Sequence, residues 1–266
     1  MNNLHRELAP VSDLAWAGME AEARRTFCEH VAGRRVVDVT GPVGLELAAV
    51  GTGDVSDLPS SGSGVQVRRR DAVPIVELRV PFTVSRQAVD GATRGAKNVD
   101  WQPVKDAARE LAFAEDHIIV DGLAAAGIAG MRTISTYPPL PLPKEVCHYP
   151  ATVVNALSTL RLGGVAGPYR LLLSAEVHTI LMETADHGFP IRDHIDRVLG
   201  ADGEIVWAPA IDGALVVSAR GGDFELHLGQ DASIGYLGHD SDTITLYIEE
   251  SMTFQVHAAE AAVSLG

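Results

Sequence analysis

Basic side chains are scarce in this chain: 21 Lys and Arg face 35 Asp and Glu, for a formal charge of −14. A protein that coats nucleic acid or an anionic membrane does so with lysine and arginine, so this deficit argues against either as the main partner. The first 32 residues, where a genome-packing shell would carry a basic arm, mix Arg24 and Arg25 with Glu7, Asp13, Glu20, Glu22 and Glu29. Cysteine is almost absent. Cys28 and Cys147 lie 119 positions apart and read as isolated small side chains, not as a disulfide or a nucleophile. With no signal peptide and no run of eighteen apolar residues, the expected setting is a reducing cytoplasm, without membrane contact.

The usual catalytic signatures are missing too. There is no Gly-x-Ser-x-Gly elbow, no Gly-Lys-Ser/Thr phosphate loop and no Gly-x-Gly-x-x-Gly after a strand, and the spacing of Gly163, Gly164 and Gly167 does not substitute for one. Glu145 and His148 have the Glu-x-x-His spacing of di-iron ligands, but they follow a proline run and occur once, which reads as a loop coincidence. Asp186-His187 and Asp193-His194 carry ligand chemistry for a divalent metal. Gly188 and Pro190 make that segment a loop, however, and no third ligand set stands at a defined spacing. The expectation is therefore no catalytic residue, no metal and no cofactor. The alternative left open is a metal-dependent hydrolase using His187 and His194, or a protease.

What is present is a core-forming composition, 46% hydrophobic over 266 residues, enough for one large domain or two small ones. Residues 12–31 read as an amphipathic helix capped by Ser12, with Leu14, Trp16, Ala17, Ala21, Ala23 and Phe27 as its apolar positions. A short strand is expected at 36–39, a turn at Gly41-Pro42 and a second short apolar run at 45–50. The Gly/Ser/Asp-rich stretch 51–64, followed by apolar residues at 65–68 and 75–80, reads as a long two-stranded arm with its tip at 58–64. Such a ribbon is marginal alone, so if it projects from the body it calls for a neighbouring subunit; a hairpin folded on its own domain is the competing reading. Residues 101–120 give the longest helical pattern, with Asp100 as cap and Val104, Ala108, Leu111 and Ile118 along one face. The glycines of 122–130 end it, 138–143 is an exposed proline-rich link, and 131–219 reads as an inserted α/β lobe. After Gly221-Gly222, Phe224, Leu226 and Leu228 alternate with polar residues, and Ile244, Leu246 and Ile248 repeat the pattern, which makes two half-buried strands.

The literal residues say more than the periodicity. Leu8-Ala9-Pro10, Trp16, the runs 33–39 and 41–44, Glu77-Leu78-Arg79 with Phe82-Thr83, Arg94-Gly95, Gly167-Pro168-Tyr169 and the block from Arg220 through Tyr236 to the strand 243–250 closely resemble the encapsulin family of bacterial nanocompartment shell proteins. The resemblance covers essentially the whole chain. It implies the α+β fold of tailed-phage major capsid proteins, the Hong Kong 97 type. The corresponding division is an N-terminal helix with the start of the P-domain (1–48), an extended loop (49–82), the P-domain with its spine helix (83–130), an A-domain (131–219) and closing P-domain strands (220–266). It further implies a closed icosahedral shell of sixty copies that encloses a cargo enzyme. The cargo, such as a dye-decolorising peroxidase or a ferritin-like protein, is held by its C-terminal peptide. A prophage-type capsid that packs DNA is the nearest alternative.

The same resemblance assigns site residues. Arg34 and Asp38 match cargo-peptide positions, in a groove completed by Leu8, Trp16, Val36 and Ile234. A strand at 36–39 would put Arg34 and Asp38 on one face, and a surface ion pair is the competing reading. Asp186, His187, Gly188 and Phe189 fall in the region that rings the five-fold pore, the competing reading being a solvated loop that lines nothing.

Overall fold

A computed structural model describes residues 3–59, 62 and 64–266. Ser60, Ser61 and Ser63 of the expected arm tip lie outside the described residues. After a short 3-10 turn at Arg6–Leu8, helix α1 (Asp13–His30) starts where the Ser12 hydroxyl accepts the Ala15 N–H. Its buried face is the expected one only in part, at Trp16, Ala23 and Phe27. Ala15, Trp16, Met19, Ala23, Thr26 and Phe27 point inward, while Leu14 is 63% exposed and Ala17 and Ala21 face outward. Spacings of three and four residues from Trp16 define the stripe, and Leu14 is out of phase with it.

Strand β1 (Asp38–Thr40) is followed by β2 (Ala49–Leu58), β3 (Val67–Pro74) and β4 (Val76–Ser85). β2 and β3 form an antiparallel ribbon of their own, with Leu58 opposite Val67, and almost every residue on it is exposed. The arm is thus present, but the 75–80 segment assigned to it belongs to the body, where β4 pairs with β11. In the apolar run at 45–50, Leu45 is 53% exposed and the last two residues open β2.

Helix α2 (Arg86–Thr93) leads to α3 (Gln102–Asp121), the spine, which at 1.5 Å per residue runs about 30 Å. Asp100 accepts the Gln102 N–H, Pro103 sits in the first turn, and Val104, Ala108, Leu111 and Ile118 are all buried. The lobe then adds α4 (Met131–Ile134), α5 (Tyr149–Leu162), β5 (Tyr169–Leu173), α6 (Ala175–Glu183), the hairpin β6 (Ala185–Asp186) and β7 (Phe189–Pro190), α7 (Ile191–Leu199), β8 (Glu204–Trp207) and β9 (Ala214–Ser218). The proline segment is not a free link: the Leu140 N–H bonds to the Ser264 carbonyl, and the Leu140 carbonyl accepts from Gly266.

The long strands β10 (Phe224–His239) and β11 (Thr243–Val256) and the short β12 (Ala262–Leu265) close the chain. One sheet has the order β1-β10-β11-β4, and the second has β12-β9-β5-β8. Gly221 and Gly222 adopt φ of 85° and 78° ahead of β10, as their pairing requires. Phe224, Leu226, Leu228, Ile244, Leu246 and Ile248 are buried as expected, but β11 is covered on both faces, Glu249 and Glu250 included. β12 does not join these closing strands; it pairs with β9 in the lobe, so the last residues tie the lobe to the body.

Two apolar cores result. One lies between α1, α3 and the far half of the β4/β11/β10 sheet, and the other fills the lobe and reaches Phe224, Leu226 and Phe254. Gly122 and Gly130 cross at the junction: a Cβ on Gly130 would stand 2.2 Å from the Gly122 nitrogen. Gly130→Ala should therefore abolish soluble expression or lower the melting temperature sharply. Gly127→Ala, which strains only a positive φ of 71° in open space, should cost about 1–2 kcal/mol. Thermal melts of the two variants check the contrast, and equal losses would contradict it.

Candidate functional site

Where α1 ends, the backbone N–H groups of Ala32 and Gly33 both point at the Asp116 carboxylate, at 2.9 and 2.7 Å. Gly33 cannot be replaced easily, because a Cβ there would come 2.5 Å from the Ile119 side chain. This clamp coils residues Gly33–Arg35 into a 3-10 turn and delays the strand until Asp38. Arg34 is thereby aimed inward. Its Nε and Nη2 bond to Glu115 at 2.9 and 2.6 Å, Nη2 also reaches Glu250 at 2.7 Å and Nη1 reaches Asp231 at 2.9 Å. The guanidinium lies 4.8 Å above the Phe27 ring. Glu115 comes from α3, Glu250 from β11 and Asp231 from the bulged part of β10, so one side chain joins the N-terminal segment to every layer of the body.

The electrostatics follow from burial. Burial by itself would lower the Arg34 pKa, but its contacts with Glu115, and then with Glu250 and Asp231, outweigh this and raise it. Burial raises Glu250 well above the ordinary carboxylate range, and its contact with Glu115 adds to that. Asp116 is pushed up to about 7, by burial first; the N–H groups of Gly33 and Ala32 pull the other way. One arginine cannot neutralise four carboxylates, so protons are retained among them.

Beside this network lies a cleft of about 670 Å³, between α1 and β10, lined among others by Arg6, Glu20, Arg24, Phe27, Arg34, Ser233 and Ile234. The segment before α1 forms one wall: Arg6 Nε donates to the Ile234 carbonyl at 2.7 Å, and the Tyr236 N–H donates to the Leu4 carbonyl. A shallow extension lined by Pro42, Leu45 and Gly229 meets it at Asp231 and Ser233. The expected groove residues are brought together only in part. Arg34 and Ile234 line this cleft; Trp16 is buried beneath Arg6, whose guanidinium is 4.7 Å from the ring; Leu8 is 65% exposed and lines no wall of it. Val36 and Asp38 line a separate small cleft with Arg35 and Phe224. Asp38 accepts the Gly222 N–H at 2.6 Å. Arg34 and Asp38 therefore do not share a strand face, because the chain between them is a 3-10 turn, and they form no ion pair with each other. Glu115, Asp116, Asp231 and Glu250 went unnoticed in the sequence. The available signal was adjacent carboxylates inside otherwise apolar stretches, Glu115-Asp116 in the spine and Glu249-Glu250 in a strand.

The second expected site is a hairpin tip. His187 at φ 47° and Gly188 at φ 86° form the two-residue turn between β6 and β7, which joins α6 to α7. The His187 side chain is 94% exposed, Phe189 is 63% exposed, and Asp186 faces His187 at 3.7 Å. His194 lies on α7, outside the loop assigned to it. Among the described residues, the only trio of potential metal ligands brought together is Glu145, Cys147 and His148, so the His187/His194 hydrolase is not supported by geometry.

A long two-stranded arm, a spine helix beneath a long antiparallel pair and a separate α/β lobe define a capsid-fold shell protein of the Hong Kong 97 type. The chain superimposes on the virus-like particle from Pyrococcus furiosus with a TM-score of 0.63 over 93% of this chain and 98% of that one, at 18% identity. It superimposes on the capsid of Myoviridae phage XM1 with a TM-score of 0.55 over 90% of each, at 10% identity. The family described as "Encapsulating protein for peroxidase" matches residues 1–253. The type 1 encapsulin shell protein of Rhodococcus erythropolis is 57% identical over 100% of both chains. This chain belongs to that encapsulin family: it is a shell component that assembles with copies of itself into a capsid-like particle, not an enzyme.

The raised carboxylates set a pH dependence. Asp116 has a folded pKa of about 7 against about 3.9 when unfolded, so between those values the folded chain holds a proton that the unfolded chain has released. Its contribution to stability therefore falls as pH rises from about 4 to 7 and is constant above. Asp116→Asn keeps an acceptor for Ala32 and Gly33 but removes the titration. Melting curves from pH 5 to 8 should show the parent losing stability relative to the variant as pH rises, by about 2.5 kcal/mol. Parallel pH profiles would contradict this.

Proposed function

We propose that sixty copies close into an icosahedral nanocompartment in the cytoplasm and that its cargo is a peroxidase or a ferritin-like enzyme. The cargo is held by a short, largely apolar C-terminal peptide in the cleft between α1 and β10. The observation that carries the reading is the cleft itself, whose lining combines Phe27, Ile234 and Ile248 with the charged side chains of Arg6, Glu20 and Arg24. Such a lining suits an extended peptide with one or two polar anchors. Many copies on one inner wall then turn weak individual sites into strong retention. The family's description favours peroxidase cargo. No helix of the described residues is long and apolar enough to cross a membrane.

Sizing tests closure: sixty chains of 28.2 kDa make a particle of about 1.7 MDa, and a small oligomer would reject it. The cleft needs a variant that spares Arg34, because removing that side chain would strand buried carboxylates. Ser233→Trp fills the cleft from its wall. Particles should keep their size while co-purifying cargo falls several-fold; undiminished loading would sink the assignment.

In the closed shell, the tips carrying Asp186, His187, Gly188 and Phe189 meet around the five-fold opening. Five copies of Asp186 favour entry of small cations at neutral pH. Asp186→Lys should slow uptake of ferrous iron by a loaded particle at unchanged size, and identical kinetics would reject the assignment.

A further inference from the structure

The turn at the foot of the lobe carries a ligand set that the shell reading does not use. After the proline segment, residues Val146–His148 form one turn of 3-10 helix that leads into α5. In a 3-10 turn, residues i and i+3 eclipse, so Glu145 and His148 stack on one side although no α-helix is present there. Val146 packs on the lobe core and Tyr149 is buried to 6%, which turns the three residues around them outward. The Cys147 thiol follows the same side: its Sγ lies 3.9 Å from Glu145 Oε2, and His148 Nε2 lies 3.4 Å from that oxygen. All three ligand atoms fall within 4.8 Å of one another.

We propose that Glu145, Cys147 and His148 form a surface site for a divalent cation of Zn²⁺ type, its fourth position taken by water. Zinc bonds of about 2.0–2.3 Å in a tetrahedron put neighbouring ligand atoms roughly 3.3–3.8 Å apart, so closing the site from 4.8 Å needs only about 1 Å of side-chain rotation. One thiolate and one carboxylate balance the charge of the ion, and the neutral imidazole adds none. A sulfur and a nitrogen among three ligands select zinc-like metals over Mg²⁺ and Ca²⁺, which require all-oxygen shells. The backbone is constrained in advance: Pro143 and Pro150 bracket the turn, and the His148 N–H donates to the Glu145 carbonyl at 3.1 Å. All three side chains are solvent-accessible in the chain, so an ion can enter without opening the fold.

The test uses assembled particles stripped with a chelator and then titrated with Zn²⁺ alone. The expected result is one Zn²⁺ retained per chain after gel filtration, undiminished by millimolar Mg²⁺. Losing an outer partner of a metal ligand costs about 10–100-fold in affinity, so Cys147→Ser and His148→Ala should each lose at least that much. Cys28→Ser, which removes the other exposed thiol, should bind as the parent does. Co²⁺ in place of Zn²⁺ should give a thiolate-to-metal charge-transfer band in the parent and in Cys28→Ser but not in Cys147→Ser. Retention that is absent in the parent, or undiminished from the parent's in Cys147→Ser and His148→Ala, would overturn the site. Either outcome leaves particle size and cargo loading, and hence the shell reading, untouched.

Discussion

Arg34 is the point on which the other layers depend. Its guanidinium is held by Glu115 of α3, Glu250 of β11 and Asp231 of β10, and its backbone is set by the Asp116 clamp at the end of α1. Glu115 and Glu250 have no exposed side-chain surface and Arg34 has 19%. A buried pair of this kind gains little over well-packed apolar residues, but losing one partner leaves a charge without compensation and costs about 3–5 kcal/mol. The consequence is positional. The N-terminal segment, the spine helix and the central strands can be joined in one arrangement only, the one that brings a planar fork of donors to three carboxylates.

That arrangement changes what the cleft offers a peptide. An arginine free in a cleft wall would be the natural anchor for a carboxylate, but here the fork is already occupied by Glu115, Glu250 and Asp231. Under the proposed reading, Arg34 shapes the wall, and direct polar contacts fall to Arg6, Glu20 and Arg24. Arg6 in turn is held by Glu20 and the Ile234 carbonyl, so the segment before α1 is part of the wall and not a loose tail.

The arm places a different demand on the molecule. The β2/β3 ribbon exposes Val55, Leu58 and Val67, and only its base touches the body, where the Gln255 amide reaches the Val50 carbonyl at 3.3 Å. A two-stranded ribbon with apolar residues in water is marginal by itself. Under the proposed reading, the association of copies supplies the missing surface and stabilises the arm.

Much of this was legible from local pattern. The spine helix, the alternating closing strands and the arm follow from periodicity and turn residues, because each depends on neighbours within a few positions, and the literal residues carried the family. The formal charge of −14 likewise disfavours a nucleic-acid partner by composition alone. The tertiary structure decided what depends on residues far apart in sequence. It paired Arg34 with carboxylates 81, 197 and 216 positions away, and it turned 33–35 into a 3-10 turn that parts Arg34 from Asp38. It covered both faces of β11 and took the final strand into the lobe. It also brought Glu145, Cys147 and His148 together on a turn that sequence spacing alone reads as coincidence. Periodicity reports which face of an element is apolar; which charge meets which is set only when distant elements pack, since burial is what makes an unpaired charge too costly to leave.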